Sequence, residues 1–273
     1  MASVLIFSSF VAASRVGGSA QALALARLGI EPILVPTVLF GRHPGHGPPG
    51  GGPVAAETFE AVLGGVEAQG LFGQLDAVIT GYFASPEQVA AVADALDQIK
   101  SARVATRIVV DPIMGDADKG LYVRDAVAAA IADLLVPRAD VMTPNAWELA
   151  RLTGASVTDA ASAVAAARRL GRPVLVSSVA AGADVGVVYA GADRAWLAAH
   201  PLSPSAPKGT GDLLTAYFTA GLIQGLAAPD ALHASVSALA ELVAAFGDAD
   251  PSVDALPTRL EPSPRVRLEA LGG

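Results

Sequence analysis

Residues 207–214 combine residue types and a spacing that suit phosphate chemistry. The stretch reads Pro-Lys-Gly-Thr-Gly-Asp-Leu-Leu. Gly209 and Gly211 flank Thr210, and glycine allows backbone conformations that other residues avoid. The apolar spacing from Leu213 onward predicts a helix, whose start carries unpaired backbone N–H groups and the positive end of the helix dipole. The start of such a helix binds phosphate groups.

Asp212 adds a carboxylate to this predicted anion-binding site. A carboxylate repels an anion, so it does not suit a site that only binds phosphate. It suits a site in which a hydroxyl group attacks the phosphate, because the carboxylate then takes the proton from that hydroxyl. The stretch therefore predicts phosphoryl transfer to an alcohol, with Asp212 as the base.

The composition narrows the partners and the compartment. The chain has 273 residues, a formal net charge of −8 and no basic cluster, which argues against a nucleic-acid partner. It contains no cysteine, which excludes disulfides, thiolate metal sites and a cysteine nucleophile. No basic residue precedes the first apolar run at 4–7, and no apolar segment has the length of a membrane span without a polar or glycine break. We expect a cytoplasmic protein without a membrane partner.

Alternating strand and helix patterns predict one α/β domain over residues 1–247. Its central sheet is expected to be mostly parallel, with helices on both faces. The predicted strands lie at 4–7, 32–36, 77–79, 107–110, 140–142 and 174–177, followed by a hairpin of 185–190 with 194–198. The main predicted helices lie at 57–69, 86–100, 123–135, 158–170, 212–224 and 229–246, and another begins at Gly17.

Two segments are predicted to lack regular structure. Residues 41–53 are rich in glycine and proline, and strand and helix patterns resume on both sides of them. We expect this segment to be a lid loop rather than a domain boundary. Residues 248–273 carry several prolines among charges, and we expect an irregular C-terminal tail.

Polar residues follow the predicted strands, where ligands bind in sheets of this kind. Asp111, Asp116 and Glu148 offer the sparse set of carboxylates that Mg²⁺ uses beside phosphates. The alternatives are a simple turn for Asp111 to Asp116 and a helix cap for Asn145 with Glu148. The remaining polar positions at strand ends are Ser8, Ser9, Thr37, Tyr82, Thr143, Ser177 and Ser178. The chain lacks the Gly-Lys-Ser/Thr of a phosphate-binding P-loop, so ATP would need a different phosphate cradle.

Three motifs of the chain resemble those of the ribokinase-like superfamily. They are Gly-Thr-Gly-Asp at 209–212, Asp-Pro-Ile-Met-Gly-Asp at 111–116 and Thr-Pro-Asn-Ala-Trp-Glu-Leu at 143–149. Four further stretches are similar to those of the pyridoxal kinases, which form one family of that superfamily. These stretches are Ser-Phe-Val at 9–11, Pro-Thr-Val at 36–38, His-Pro-Gly-His-Gly at 43–47 and Gly-Tyr-Phe-Ala-Ser at 81–85. The resemblance covers residues 3–246.

The resemblance implies a single ribokinase-like domain that phosphorylates the 5′-hydroxyl of pyridoxal, and of related vitamers, with ATP in vitamin B6 salvage. Asp212 would be the base, and the amides of Gly209, Thr210 and Gly211 would stabilise the transferred phosphoryl group. The resemblance also assigns the remaining positions: Ser9, Thr37 and Tyr82 to the pyridine ring, Asp111, Asp116, Asn145 and Glu148 to Mg²⁺ and the ATP phosphates, and Thr143 and Ser177 to the nucleotide site. Family members are commonly homodimers, and a requirement for a monovalent cation is left open.

The chain departs from the family pattern near the expected pyridoxal pocket. Pyridoxal kinases often have His where Phe10 stands, Gly where Ser14 stands and Asn where Gly18 stands. These departures keep a second substrate open, either hydroxymethylpyrimidine or another small alcohol. A protein of another class is also open, one that binds a vitamer or a nucleotide without catalysis, because a fold alone does not prove an activity.

Overall fold

The computed structural model describes residues 1–272, which form a ten-stranded sheet, a small two-stranded sheet and eight α-helices. The strands are β1 (Ser3–Val11), β2 (Glu31–Phe40), β3 (Gly51–Pro53), β4 (Ala77–Thr80), β5 (Arg107–Val110), β6 (Gly115–Asp116), β7 (Gly120–Leu121), β8 (Val141–Met142), β9 (Val174–Ala181), β10 (Asp184–Ala190), β11 (Ala195–Pro201) and β12 (Arg267–Leu271). The helices are α1 (Gly17–Arg27), α2 (Ala56–Ala68), α3 (Pro86–Ala102), α4 (Asp125–Ala130), α5 (Ala146–Thr153), α6 (Ala160–Arg168), α7 (Thr210–Ile223) and α8 (Ala228–Phe246).

The large sheet is parallel at its centre and antiparallel at its edges. Its strand order is β12-β11-β10-β9-β8-β5-β4-β1-β2-β3. Every pair from β9 to β2 is parallel. The strands β10, β11 and β12 add antiparallel pairs at one edge, and β3 adds one at the other. The mostly parallel α/β sheet expected from the sequence is confirmed.

Strand β1 shows why the sheet carries helices on both faces. Its residues Val4 to Phe7 are fully buried, as the short continuous apolar run predicts. Leu5 and Phe7 pack with residues of α2 and α3, while Val4 and Ile6 pack with residues of α1, α7 and α8. Successive side chains of a strand point to opposite faces, so one apolar run fills both cores.

The segment 41–53 is more ordered than its composition indicates. Gly51–Pro53 forms β3, which pairs with Val38 to Phe40 of β2, and Pro44–His46 forms a turn of 3₁₀-helix. Gly51 has a φ of +83°, and a Cβ there would lie 2.0 Å from the carbonyl oxygen of Leu39. The expectation of no regular structure is therefore wrong at 51–53, because glycine permits the close approach that starts the pairing.

The C-terminal tail is likewise only partly irregular. Residues 251–264 form no strand or α-helix, apart from a 3₁₀ turn at Val253–Ala255. After the last proline, Arg267–Leu271 forms β12 and pairs with β11, while Leu268 packs on the core. The expectation of an irregular tail is wrong for this strand, because its alternating side chains complete the edge of the sheet.

None of the helices within residues 1–272 combines the length and the apolar character needed to cross a membrane.

Candidate active site

A cleft of about 890 Å³ lies at the carboxyl ends of the parallel strands. All but one of the site residues predicted from the sequence line this cleft. They are Ser9, Tyr82, Asp111, Asp116, Thr143, Asn145, Glu148, Ser177, Gly209, Thr210, Gly211 and Asp212. The structure thus brings together residues from six separate segments of the chain, as the rule for ligand sites in parallel sheets predicts.

Helix α7 begins at the cleft with the predicted glycine-rich turn. Gly209 precedes the helix with a φ of +82°, and a Cβ there would lie 2.3 Å from the carbonyl oxygen of Arg15. Only glycine fits this left-handed position beside another backbone. The backbone N–H groups of the first turn, which includes Thr210 and Gly211, have no acceptor within the helix and face an anion-binding position.

Asp212 has one occupied and one free carboxylate oxygen. Its Oδ2 accepts a hydrogen bond of 2.8 Å from the backbone N–H of Gly17, at the start of α1. Its Oδ1 is buried and has no hydrogen-bond partner within the described residues. Burial raises the pKa of Asp212 to about 6, and the hydrogen bond from Gly17 limits this rise because it stabilises the ionised carboxylate. A carboxylate with this pKa is ionised at neutral pH and can take a proton through Oδ1.

Gly17 is a site residue that the sequence did not reveal as one. It has a φ of +60°, and a Cβ there would lie 1.9 Å from Oγ of Ser9. Glycine therefore allows the start of α1 to approach both Ser9 and Asp212. The sequence indicated only that a helix begins here, because the partner of Gly17 lies far along the chain.

Asp111 lies at the end of β5, on the floor of the cleft. It is only 5% exposed, and its Oδ2 accepts a hydrogen bond of 2.9 Å from Oγ1 of Thr215. Burial, followed by the charges of Glu148 and Asp212, raises the pKa of Asp111 well above its usual range. A cation bound beside Asp111 would relieve this repulsion among carboxylates.

Glu148 holds the backbone on two sides. Its Oε2 accepts the N–H of Asn145 at 2.9 Å, and the Asn145 side chain accepts the N–H of Glu148, which confirms the helix cap. Its Oε1 accepts the N–H groups of Met114 and Gly115, at 2.7 and 3.3 Å. Burial raises the pKa of Glu148 to about 7, although these backbone hydrogen bonds lower it. Glu148 thereby ties the turn after β5 to the start of α5.

Asp116 caps its own turn, whereas the alternative of a simple turn from Asp111 to Asp116 places the cap at Asp111 and Asp116 in solvent. Its Oδ1 accepts the backbone N–H groups of Asp118 and Lys119, at 3.1 and 2.7 Å. Over residues 1–272, no group of three or more His, Cys, Asp or Glu side chains is arranged to hold a metal ion. The assignment of Asp111, Asp116 and Glu148 to Mg²⁺ remains a prediction.

Thr37 is the predicted site residue that does not line the cleft. Its side chain is fully buried, and its Oγ1 donates a hydrogen bond of 2.6 Å to the carbonyl oxygen of Tyr82. The expected direct contact with a substrate is therefore corrected: Thr37 fixes the backbone of Tyr82, which does line the cleft.

Of the three positions that depart from the family pattern, Phe10 does not form part of the cleft wall. This side chain is 41% exposed and is not among the residues that line the cleft. Ser14 is buried, and its Oγ accepts the backbone N–H of His43 at 3.3 Å. A Cβ at Gly18 would lie 2.4 Å from Cδ1 of Leu34, so a larger residue would disturb packing there.

Several other cleft residues carried no clear signal in the sequence. Lys119 and Tyr122 flank β7, and Ile113 follows Asp111 with a φ of +35°, which is rare for a β-branched residue. His43 brings the loop before β3 to the cleft. Burial, followed by the charges of His46, Lys119 and Lys208, lowers the pKa of His43. These residues lie in turns, where sequence periodicity gives no information.

Comparisons with known proteins identify the family of this chain. The family model described as phosphomethylpyrimidine kinase matches residues 56–250. The chain is 37% identical over 264 residues to the pyridoxine/pyridoxal/pyridoxamine kinase of Bordetella avium, across 94% of this chain and 89% of that protein. It is 35% identical over 255 residues to the pyridoxal kinase PdxY of Corynebacterium diphtheriae, across 90% of each chain.

Solved structures show the same fold. The pyridoxal kinase of Entamoeba histolytica superposes with a TM-score of 0.89 at 25% identity, over 99% of this chain and 100% of the other. The pyridoxal kinase of Leishmania donovani in complex with ADP and pyridoxamine superposes with a TM-score of 0.88 at 25% identity, over the full length of both chains. The ribokinase-like fold expected from the sequence is thus confirmed. The chain belongs to the phosphomethylpyrimidine kinase family and, within it, is a relative of the pyridoxal kinases.

Proposed function

We propose that the protein transfers the γ-phosphoryl group of ATP to the 5′-hydroxyl of pyridoxal, and of related B6 vitamers, in vitamin B6 salvage. The observation that carries this proposal is Oδ1 of Asp212 at the start of α7, which is buried and has no hydrogen-bond partner in the described part of the chain. The relatives support it, because they are named as kinases of these vitamers and one is solved with ADP and pyridoxamine.

Asp212 acts as the base in this reaction. The 5′-hydroxyl of the vitamer gives its proton to Oδ1 as its oxygen bonds to the γ-phosphorus of ATP. The bond between that phosphorus and the bridging oxygen of ADP breaks, so the products are the phosphorylated vitamer and ADP. The Gly17 hydrogen bond to Oδ2 keeps the carboxylate oriented while Oδ1 takes the proton.

The start of α7 stabilises the transferred group. The backbone N–H groups of Gly209, Thr210 and Gly211 donate to the phosphoryl oxygens on which charge develops. Lys119 and Lys208 line the same cleft and add positive charge to it. Ser9 and Tyr82 hold the vitamer ring, while Thr37 acts indirectly through the backbone of Tyr82.

The nucleotide lies toward Thr143, Asn145 and Ser177. Magnesium suits this side, because Asp111 is buried near two other carboxylates and a cation would offset their repulsion. Asp111 and Asp116 would hold the ion together with waters and phosphates, and Glu148 would organise the turn between them. When bound, Mg²⁺ supplies charge neutralisation for the ATP phosphates.

The assembly and the compartment belong to this proposal as well. We infer a homodimer in the cytoplasm, on the ground that the chain is a relative of bacterial pyridoxal kinases. Light scattering of the purified protein tests the assembly, and a monomer at micromolar concentration would contradict it.

The activity is tested with purified protein, ATP, Mg²⁺ and pyridoxal. We expect pyridoxal 5′-phosphate to form, and Asp212→Ala to slow turnover by about 10²- to 10⁴-fold. Equal rates for both proteins would exclude Asp212 as the base. Calorimetric binding of pyridoxal without any turnover of ATP would instead support a non-catalytic binding protein.

Hydroxymethylpyrimidine is a second candidate acceptor. It is favoured by the match of residues 56–250 to the phosphomethylpyrimidine kinase model. The two alcohols are compared at equal concentration in one reaction. A higher kcat/KM for hydroxymethylpyrimidine than for pyridoxal would overturn the vitamer assignment and leave the roles proposed for Asp212 and the nucleotide side intact.

A further inference from the structure

Thr215 lies one helical turn after Asp212, beneath the floor of the cleft. Its side chain is 1% exposed and is not among the residues that line the cleft. Its Oγ1 lies 2.9 Å from Oδ2 of Asp111 and 2.9 Å from Oγ1 of Thr143. The helix that carries the proposed base is thus joined by one hydroxyl to the ends of β5 and β8.

The helix itself does not require this hydroxyl. A buried threonine in a helix can satisfy its hydroxyl by bonding to the carbonyl one turn earlier. Thr219 does so, because its Oγ1 donates to the carbonyl oxygen of Thr215 at 2.7 Å. Thr215 instead bonds to residues 104 and 72 positions away. The two threonines share a helix and full burial, yet within residues 1–272 only the Thr215 hydroxyl forms hydrogen bonds to cleft residues.

The Thr215 hydroxyl is the donor in both of these hydrogen bonds. A hydroxyl group has a single proton, so Oδ2 of Asp111 and Oγ1 of Thr143 share the one proton of Thr215. Both acceptors are thereby held by the same hydroxyl group of α7. Thr215 therefore sets the orientation of two side chains on the nucleotide side.

We propose that Thr215 is a positioning residue, which holds Asp111 and Thr143 in the orientation that the Mg–ATP complex requires. This inference rests on the nucleotide-side roles proposed above for Asp111 and Thr143. It does not involve contact between Thr215 and any ligand. Removal of its hydroxyl group is therefore expected to lower kcat/KM for ATP and to leave KM for the vitamer nearly unchanged.

Thr215→Val tests this inference, because valine keeps the shape and burial of threonine and removes only the hydroxyl. We expect kcat/KM for ATP to fall about ten- to a hundredfold, as for loss of a hydrogen bond to a charged group. KM for pyridoxal should stay within about threefold, and Thr215→Ser should restore kcat/KM for ATP to within about threefold of the wild-type value. Thr219→Val is the matched control and should stay within the same limit.

Three outcomes would overturn the inference: wild-type kinetics for Thr215→Val, an equal loss for Thr219→Val, or no restoration by serine. If Thr215→Val does not fold, Thr215→Ala replaces it in the comparison with Thr215→Ser. Asp111→Asn separates the positioning role of Thr215 from the proposed role of Asp111. If Asp111→Asn leaves kcat/KM for ATP unchanged, the role of Asp111 itself is contradicted. In the double variant that combines Asp111→Asn with Thr215→Val, the second change should lower kcat/KM for ATP by less than it does alone. The reason is that both changes act on the same hydrogen bond between Thr215 and Asp111.

Discussion

The backbone N–H of Gly17 donates a hydrogen bond of 2.8 Å to Oδ2 of Asp212, although 195 positions separate the two residues. This contact brings the starts of α1 and α7 together at one carboxylate. It satisfies one oxygen of Asp212, while the other is buried and has no hydrogen-bond partner among residues 1–272. A carboxylate held in this way is oriented before a substrate arrives, and its reorganisation during proton transfer is small.

The first prediction concerns the base itself. Asp212→Asn keeps an oxygen for the Gly17 N–H but cannot take a proton, so kcat should fall by about 10²- to 10⁴-fold. Binding of pyridoxal and ATP, measured by calorimetry, should change little. Asp193→Asn is the matched control, because Asp193 is exposed and does not line the cleft. Unchanged kcat in Asp212→Asn would remove Asp212 from the mechanism.

The second prediction is the acid limb of the pH profile. The pKa of Asp212 is about 6, raised by burial. As the pH falls below this value the base becomes protonated, so kcat/KM should drop about tenfold per pH unit. Glu148, with a pKa raised to about 7 by burial, adds a second ionisation, which makes the drop steeper than tenfold per pH unit where both groups are protonated. Initial rates between pH 5 and 9 test this, and a flat profile down to pH 5 would contradict it.

The third prediction is that loss of the base stabilises the fold. The pKa of Asp212 is raised from 3.8 to about 6, so the folded protein disfavours the ionised form. This cost in folding free energy is absent at a pH below the pKa that Asp212 has in the unfolded protein. It is fully present at a pH above the pKa of Asp212 in the folded protein, where it reaches about 3 kcal/mol at most. Asp212→Asn should therefore unfold at higher urea concentration than the wild type.

The pH dependence of the stability gained by Asp212→Asn tests whether the ionisation of Asp212 is its cause. The difference in unfolding free energy between Asp212→Asn and wild type should widen from pH 5 to pH 8. Asp193→Asn should show no such widening. A constant difference would mean that the ionisation of Asp212 is not what the fold opposes.

The strand-end rule explains why so much of the site could be predicted. Asp111, Thr143 and Ser177 each follow an apolar run, and parallel strands place their carboxyl ends at one edge. The start of α7 was also predictable, because its signal is local: two glycines, a carboxylate and the helical spacing that follows. Local patterns of this kind depend on neighbouring residues only.

Contacts between distant segments could not be predicted in the same way. Gly17 and Thr215 contribute to the site through partners on other elements, and nothing in the residues beside them indicates those partners. Strand β3 pairs with β2 at a point where Gly51 tolerates the close approach of the Leu39 carbonyl oxygen. Thr37 was expected at a strand end, but β2 continues to Phe40, and the Thr37 hydroxyl is already used by the Tyr82 carbonyl.

The fourth prediction contrasts the two glycines before Asp212. Gly209→Ala should destabilise the protein and abolish activity, because φ is +82° and the Cβ would lie 2.3 Å from the carbonyl oxygen of Arg15. Gly211→Ala should leave the melting temperature nearly unchanged, since a Cβ at Gly211 meets no atom within 4 Å. A loss of kcat in Gly211→Ala without loss of stability would locate the effect at the phosphoryl group. Equal destabilisation by both changes would contradict this explanation.

The fifth prediction concerns the loop that carries His43. This residue lines the cleft, and its Nδ1 accepts the N–H of Gly45 at 3.0 Å, so the neutral ring carries its hydrogen on Nε2. We predict that the loop closes over the substrates, and that His43→Gln raises KM for pyridoxal about two- to tenfold, as for loss of one neutral hydrogen bond. Hydrolysis of ATP without acceptor should rise, because a poorly closed loop admits water. His46→Gln is the matched control, because His46 belongs to the same loop and does not line the cleft. Equal effects of the two substitutions, or no effect of either, would exclude a closing role for His43.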